Sequence, residues 1–173
     1  MPTIRTDFFK LGDKFATVVG DDVRAGDHAP EFTVTAQDWS PVNPIAASRG
    51  KVIILSSVPA LDTNVCDRET RRFNEEAARL SDDIVIYTIS TDPPPTQKRW
   101  CGAAGIDQVT VVSDASTNDF GAKYGVLLKE VGVFRRAIFV VDKKDTIVYA
   151  AYMPVLGDEP NYEEVLNAAR KLV

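Results

Sequence analysis

Unbroken apolar runs alternate with stretches of helical period along most of this chain, and that alternation predicts an α/β fold. Val52 to Ser57 reads as a buried strand, Asp67 to Leu80 as a helix with Phe73, Ala77 and Leu80 on one side, and Ile84 to Ser90 as the next strand. Together they make one βαβ unit. Gln97 to Ala104 predicts a helix after the Pro93-Pro94-Pro95 stop, Val109 to Val112 a strand, and Asn118 to Tyr124 a helix closing near Gly125. Ala137 to Val141 and Thr146 to Tyr152 flank the turn segment Asp142-Lys143-Lys144-Asp145 and predict a hairpin, and a last helix spans Tyr162 to Leu172. Upstream, Phe15 to Val19 and Phe32 to Ala36 predict short strands separated by the turn-rich Gly26-Asp27-His28-Ala29-Pro30. This order fits a central mixed sheet with helices on both faces.

Composition narrows the function more than the fold. The 173 residues are 45% hydrophobic and 26% charged, enough for one well-buried core, and the whole chain, 1–173, reads as a single domain. A net charge of -5 argues against broad contact with nucleic acid or anionic lipid. Residues Met1 to Asp13 carry Arg5, Asp7, Lys10 and Asp13 without an unbroken apolar core, so neither a secretory signal nor a membrane span is expected, and a cytoplasmic location is. In that compartment two cysteines are redox-active or inert rather than a structural staple.

One of those cysteines occupies an informative place. Pro59, Thr63 and Cys66 follow the apolar run Val52-Ile53-Ile54-Leu55 and lead into the predicted helix. A thiol at a helix start lies near unpaired backbone N–H groups and the positive end of the helix dipole, which favour thiolate over thiol. Asp62 or Thr63 is a side-chain cap candidate, and with Thr63 as the cap Cys66 falls at the third helical position. Asp67 and Glu69 work against the thiolate through their like charge, so a cation from elsewhere is needed. The only histidine, His28, lies far away in a turn, which disfavours a Cys-His dyad. Position 69 is glutamate, which disfavours a Cys-x-x-Cys disulfide oxidoreductase, and two cysteines with one distant histidine cannot fill a tetrahedral metal site.

The spacing of Pro59, Thr63 and Cys66 resembles the peroxiredoxin signature. Leu61-Asp62-Thr63-Asn64-Val65-Cys66, Thr70-Arg71-Arg72-Phe73-Asn74, Gln97-Lys98-Arg99-Trp100-Cys101-Gly102-Ala103, Tyr124-Gly125-Val126, Arg136-Ala137-Ile138-Phe139 and Glu159-Pro160-Asn161-Tyr162-Glu163 resemble the thiol peroxidases of the Tpx group, atypical two-cysteine peroxiredoxins. The resemblance implies a thioredoxin-like fold with an N-terminal β extension. It implies reduction of hydrogen peroxide and organic hydroperoxides, with Cys66 as the peroxidatic nucleophile and Cys101 as the resolving cysteine of the same chain. Thr63 corresponds to the residue whose hydroxyl contacts peroxide and thiolate, Pro59 to the residue shielding the pocket, and Arg136 to the guanidinium holding both. Thioredoxin or a similar dithiol is the implied reductant and a homodimer the implied assembly; no metal, flavin or haem is required. A peroxide-sensing relay acting on a partner protein is the alternative.

Successive strand side chains face opposite ways, so only one of Arg135 and Arg136 can point into the pocket, and the family pattern favours Arg136. Trp100, Phe73, Phe120, Phe134 and Phe139 are expected in the core or in subunit contacts, and Glu75-Glu76 and Glu163-Glu164 on solvated faces. A disulfide needs Cα atoms roughly 4.4 to 6.8 Å apart. With both cysteines on predicted helices, one or both segments are expected to unwind on oxidation.

Overall fold

The computed structural model describes residues 1–173. Its elements run β1 (Ile4–Leu11), β2 (Lys14–Val19), β3 (Val34–Thr35), β4 (Pro41–Val42), α1 (Pro44–Ala47), β5 (Val52–Ser57), α2 (Asn64–Ala77), β6 (Ile84–Ser90) and α3 (Pro94–Ala104). They continue through β7 (Thr110–Ser113), α4 (Asp119–Tyr124), β8 (Leu127–Leu128), β9 (Val133–Phe134), β10 (Ala137–Val141), β11 (Ile147–Tyr152) and α5 (Tyr162–Arg170). The central sheet has the order β11-β10-β5-β6-β7-β3-β4. β5, β6 and β7 are parallel, whereas β10 runs antiparallel to both β5 and β11. The sheet is therefore mixed, as the alternation of elements predicts.

Successive strands step in one direction from β5 to β7, so right-handed crossovers place α2 and α3 on the same face. That face holds one apolar layer, with Ile54, Ile138 and Val140 from the strands, Cys66 and Phe73 from α2, Cys101 from α3 and Val165 and Leu166 from α5. The opposite face holds Ile53, Leu55 and Phe139 against Phe120 and Tyr124 of α4 and Ile45 of α1. β5 is buried on both sides, which is why Val52 to Leu55 reads as a continuous apolar run rather than an alternation.

The N-terminal β extension that the resemblance implies is present as β1 and β2, but its strands depart from the bounds read in the sequence. β1 pairs with β2 along most of its length, yet Phe9 is its only buried side chain, so it carries no period-two signal. The pairing shifts register between Arg5 and Phe9, where Asp7 takes a positive φ of 52°. β8 and β9 complete this second sheet with two residues each, held by main-chain pairing. The strand expected over Phe32 to Ala36 is only Val34–Thr35, because Phe32 turns into the core beside Phe120 and leaves the ladder.

Helix ends follow local chemistry. α2 begins at Asn64, three residues before the expected Asp67. Pro94 and Pro95 open α3 rather than merely precede it, since first-turn residues need no N–H. α4 stops at Gly125, whose φ of 67° suits glycine, and a Cβ there would lie 2.3 Å from the carbonyl oxygen of Asp21.

Candidate active site

Strand register explains how residues 70 positions apart meet. Ala137 pairs opposite Ser57, so Arg136, just before β10, stands where the chain leaves β5 for α2. Ser57 donates its hydroxyl to the Arg135 carbonyl at 3.0 Å and fixes this junction. The two arginines then diverge. Arg135 donates to the Gly125 carbonyl at 2.9 and 2.7 Å, pairs with Asp22 and lies 4.1 Å from the Tyr152 ring centroid. Arg136 goes to the α2 side, where its Nη2 lies 3.2 Å from Cys66 Sγ.

Arg136 is held from three directions. Nη1 donates to Glu69 Oε2 at 2.5 Å, and Nη2 donates to the Leu156 carbonyl at 3.0 Å as well as to the sulfur. The planar fork of guanidinium donors permits this; a lysine ammonium has no such fork. Arg136 is 1% exposed and Glu69 and Cys66 are 0% exposed, so these interactions are shielded from water. Burial alone would push the Arg136 guanidinium down, but Glu69 and Cys66 outweigh it and raise it.

Glu69 corrects the sequence reading. Expected to oppose the thiolate by its charge, it is buried and bound to the arginine, while Asp67 turns outward to Arg71. Burial pushes the Glu69 carboxyl up to about 7, against the opposite pull of Arg136. While protonated, Glu69 can still accept from Arg136 but takes none of its charge, leaving the guanidinium as charge partner for sulfur. The spacing Cys66, Glu69, Thr70, Phe73 is the buried stripe of α2, and this period of three and four was the available signal that Glu69 faces inward.

A cavity of about 230 Å³ opens over the guanidinium, lined by Pro59, Thr63, Asn64, Val65, Arg136, Leu156 and Gly157. The structure thus gathers Pro59, Thr63 and Arg136 around one opening; Cys66, 0% exposed, does not line it but meets the guanidinium that does. Thr63 occupies the position before the first helical residue but forms no side-chain cap; its hydroxyl donates to the Ala60 carbonyl at 2.9 Å. Asp67 N–H makes the first bond back to Thr63, so the amides of Asn64, Val65 and Cys66 have no partner four residues earlier. Those free donors face the same end of α2 as the cavity.

Cys101 lies in the same apolar layer as Cys66, but on α3, and both thiols are free. Burial pushes the Cys101 thiol up, and a hydrogen bond from Gln37 works the other way. Gln37 was absent from the sequence reading, since nothing local links the β3–β4 turn to α3. His28 forms an isolated bridge with Thr146 instead of approaching a thiol.

Two buried carboxyls give the fold a pH signature. Burial raises Asp114 to about 6, although the backbone N–H groups of Gly121 and Phe120 oppose the shift. For Glu69 and Asp114 the folded state holds its proton more tightly than the unfolded chain. Their stabilising contribution is present below about pH 4 and lost as pH rises through 6 to 7. The thermal midpoint is therefore expected to fall between pH 5.5 and pH 8, with a smaller slope in Glu69→Gln. Calorimetry across that range checks this, and a midpoint rising with pH would overturn it.

A model of the AhpC/TSA family matches residues 25–150. The thiol peroxidase of Bacillus subtilis (strain 168) is 47% identical over 157 residues, covering 91% of this chain and 93% of its own length. The thiol peroxidase of Oceanobacillus iheyensis is 46% identical over 155 residues, covering 90% and 93%. A solved peroxiredoxin-like protein from Aquifex aeolicus is similar with a TM-score of 0.85 at 37% identity, over 91% of this chain and 92% of that one. The thiol peroxidase structure from Chromobacterium violaceum shares the fold, with a TM-score of 0.81 at 20% identity over 96% and 98%. With a family model across most of its residues and relatives this similar over nearly its whole length, the chain belongs to the AhpC/TSA family and, within it, to the thiol peroxidases.

Proposed function

We propose that this chain reduces hydrogen peroxide and organic hydroperoxides through Cys66, that Cys101 resolves the oxidised sulfur into an intrachain disulfide, and that thioredoxin or a similar dithiol restores both thiols. The observation that carries this reading is the 3.2 Å contact with Cys66 Sγ made by Arg136 Nη2, whose guanidinium lines a cavity together with Pro59 and Thr63. Sulfur attacks one peroxide oxygen, the O–O bond breaks, and negative charge develops on the departing oxygen. A guanidinium already fixed by Glu69 and Leu156 stabilises that charge without reorganising, and one such donor is typically worth about 3 to 4 kcal/mol. Thr63 supplies a hydroxyl to the bound peroxide after turning from Ala60, and Pro59 shields the opening.

The Cys66 sulfenic acid then condenses with the Cys101 thiol, forming the S–S bond and releasing water. Thiol-disulfide exchange with the external dithiol closes the cycle, and every step balances without a metal, flavin or haem. Because both thiols sit within helices, the first turn of α2 or the segment around Cys101 opens for the bond to form. A cytoplasmic homodimer belongs to the same reading. Val155, exposed beside the cavity-lining Leu156, offers apolar surface for a subunit contact. A relay to a partner protein is not favoured, since Cys101 provides an acceptor in the same layer.

The deciding experiment is NADPH-coupled turnover with thioredoxin and its reductase, comparing wild type with Cys101→Ser. The variant is expected to lose thioredoxin-linked turnover yet consume about one peroxide per chain. Sustained wild-type turnover in Cys101→Ser would remove the intrachain disulfide from the mechanism.

A further inference from the structure

We infer that Gln37 is a positioning residue for the resolving thiol, presenting its side-chain amide to Cys101 Sγ so that the sulfur is held and its thiolate favoured for attack on oxidised Cys66. The inference rests on the proposed role of Cys101 and adds a residue from a part of the fold remote from Cys66. Gln37 Nε2 lies 3.5 Å from Cys101 Sγ, within reach of a sulfur hydrogen bond. It is half-buried and the thiol is 7% exposed, so water competes weakly for the sulfur.

The turn that carries Gln37 is closed upon itself. The amide of Ala36 donates to the Ser40 carbonyl at 2.9 Å, and that of Trp39 to the Ala36 carbonyl at 2.9 Å. Asp38 Oδ1 accepts from the Ser40 amide at 3.0 Å and from its hydroxyl at 2.5 Å. β3 is anchored to the strand following α3 by the pairing Thr35 with Ser113. A turn braced at both ends places the amide against α3 without help from the α3 sequence itself. Gln37 also lines a cleft with Asp38, Asp107 and Val109, so it stands between solvent and the thiol.

Electrostatics leave Gln37 as the group acting on this sulfur. Asp38 on the same turn, Lys98 and Arg99 on α3, Asp107 beyond it and Arg71 on α2 are all exposed. Arg71 is engaged by Asp67 and the Ala104 carbonyl, Asp38 by Ser40, and none of these five hydrogen-bonds Sγ. Against burial, which disfavours the thiolate, the opposing influence on Cys101 is the hydrogen bond from Gln37. A thiolate accepts hydrogen bonds only, so it calls for the N–H end of the amide. Glutamate has nearly the same shape but offers oxygens and a negative charge.

The test uses Gln37→Glu and Gln37→Ala in two settings. In the Cys66→Ser background, iodoacetamide alkylation of Cys101 is followed against pH. The midpoint is expected to move upward, further for Gln37→Glu than for Gln37→Ala. With Cys66 present, disulfide formation is followed by non-reducing mass spectrometry of quenched samples after a peroxide pulse, alongside the tryptophan fluorescence to which Trp39 and Trp100 both contribute. Slowing by about three- to fourfold per unit of midpoint shift is expected near neutral pH, since the lost thiolate fraction is partly offset by the greater nucleophilicity of the more basic sulfur, with more Cys66 sulfinic acid under excess peroxide. An unmoved midpoint in Gln37→Glu overturns the inference, as does a moved midpoint with unchanged disulfide rate. The wild-type arm reads the underlying assignment separately: absence of a Cys66–Cys101 disulfide there sinks the resolving role of Cys101, whatever the alkylation profiles show.

Discussion

Replacing Cys66 with serine is expected to reduce peroxide consumption to the uncatalysed background. A hydroxyl oxygen cannot take up oxygen from a peroxide as sulfur does, and no other thiol contacts Arg136. Loss of fold would not explain the result, because the introduced serine hydroxyl can accept from the Arg136 guanidinium that now meets Sγ, so that donor keeps a partner. Stopped-flow consumption of hydrogen peroxide, with circular dichroism and a thermal midpoint, checks both halves. Residual turnover near the wild-type rate in a folded serine variant would sink the assignment of Cys66.

Arg136→Lys is expected to lower the second-order rate constant for Cys66 oxidation about 10²- to 10³-fold, the loss typical of one preorganised donor. Lysine keeps the charge but cannot serve Glu69, the Leu156 carbonyl, sulfur and peroxide from one planar fork. Removing the guanidinium outright is a poorer test, since stripping one member from a buried ion pair costs about 3 to 5 kcal/mol. Arg136→Met combined with Glu69→Met avoids that by removing both charges, and the double variant is expected to fold yet oxidise as slowly as the lysine variant or slower. Rate constants within threefold of wild type in both proteins would show that charge stabilisation at this position is not what drives the reaction.

Much of the central sheet was legible because its signals are local. The strands Val52–Ser57, Ile84–Ser90 and Ala137–Val141 match their sequence-derived bounds, each being a dense apolar run buried on both faces. β1 was not legible, because its partner rather than its side chains makes it a strand. The two-residue β8 and β9 are invisible for the same reason. At the site, the spacing of Pro59, Thr63 and Cys66 is local and readable, whereas the state of Glu69 is not. Its charge and, through the i, i+3, i+4 stripe of α2, its inward direction are readable, but the arginine it meets and the water excluded around it are not.

Residue order alone thus determined the α/β class, the helix that bears Cys66, and the need for a cation that this helix does not supply. Tertiary structure alone decided where that cation's charge goes. Register between β5 and β10 brings Arg136 to Cys66, burial raises the Glu69 carboxyl beside it to about 7, and the β3–β4 turn carries Gln37 to Cys101. The physical reason is one of range. Periodicity and capping act over a few residues, while desolvation and charge depend on which distant segments exclude water from the same point.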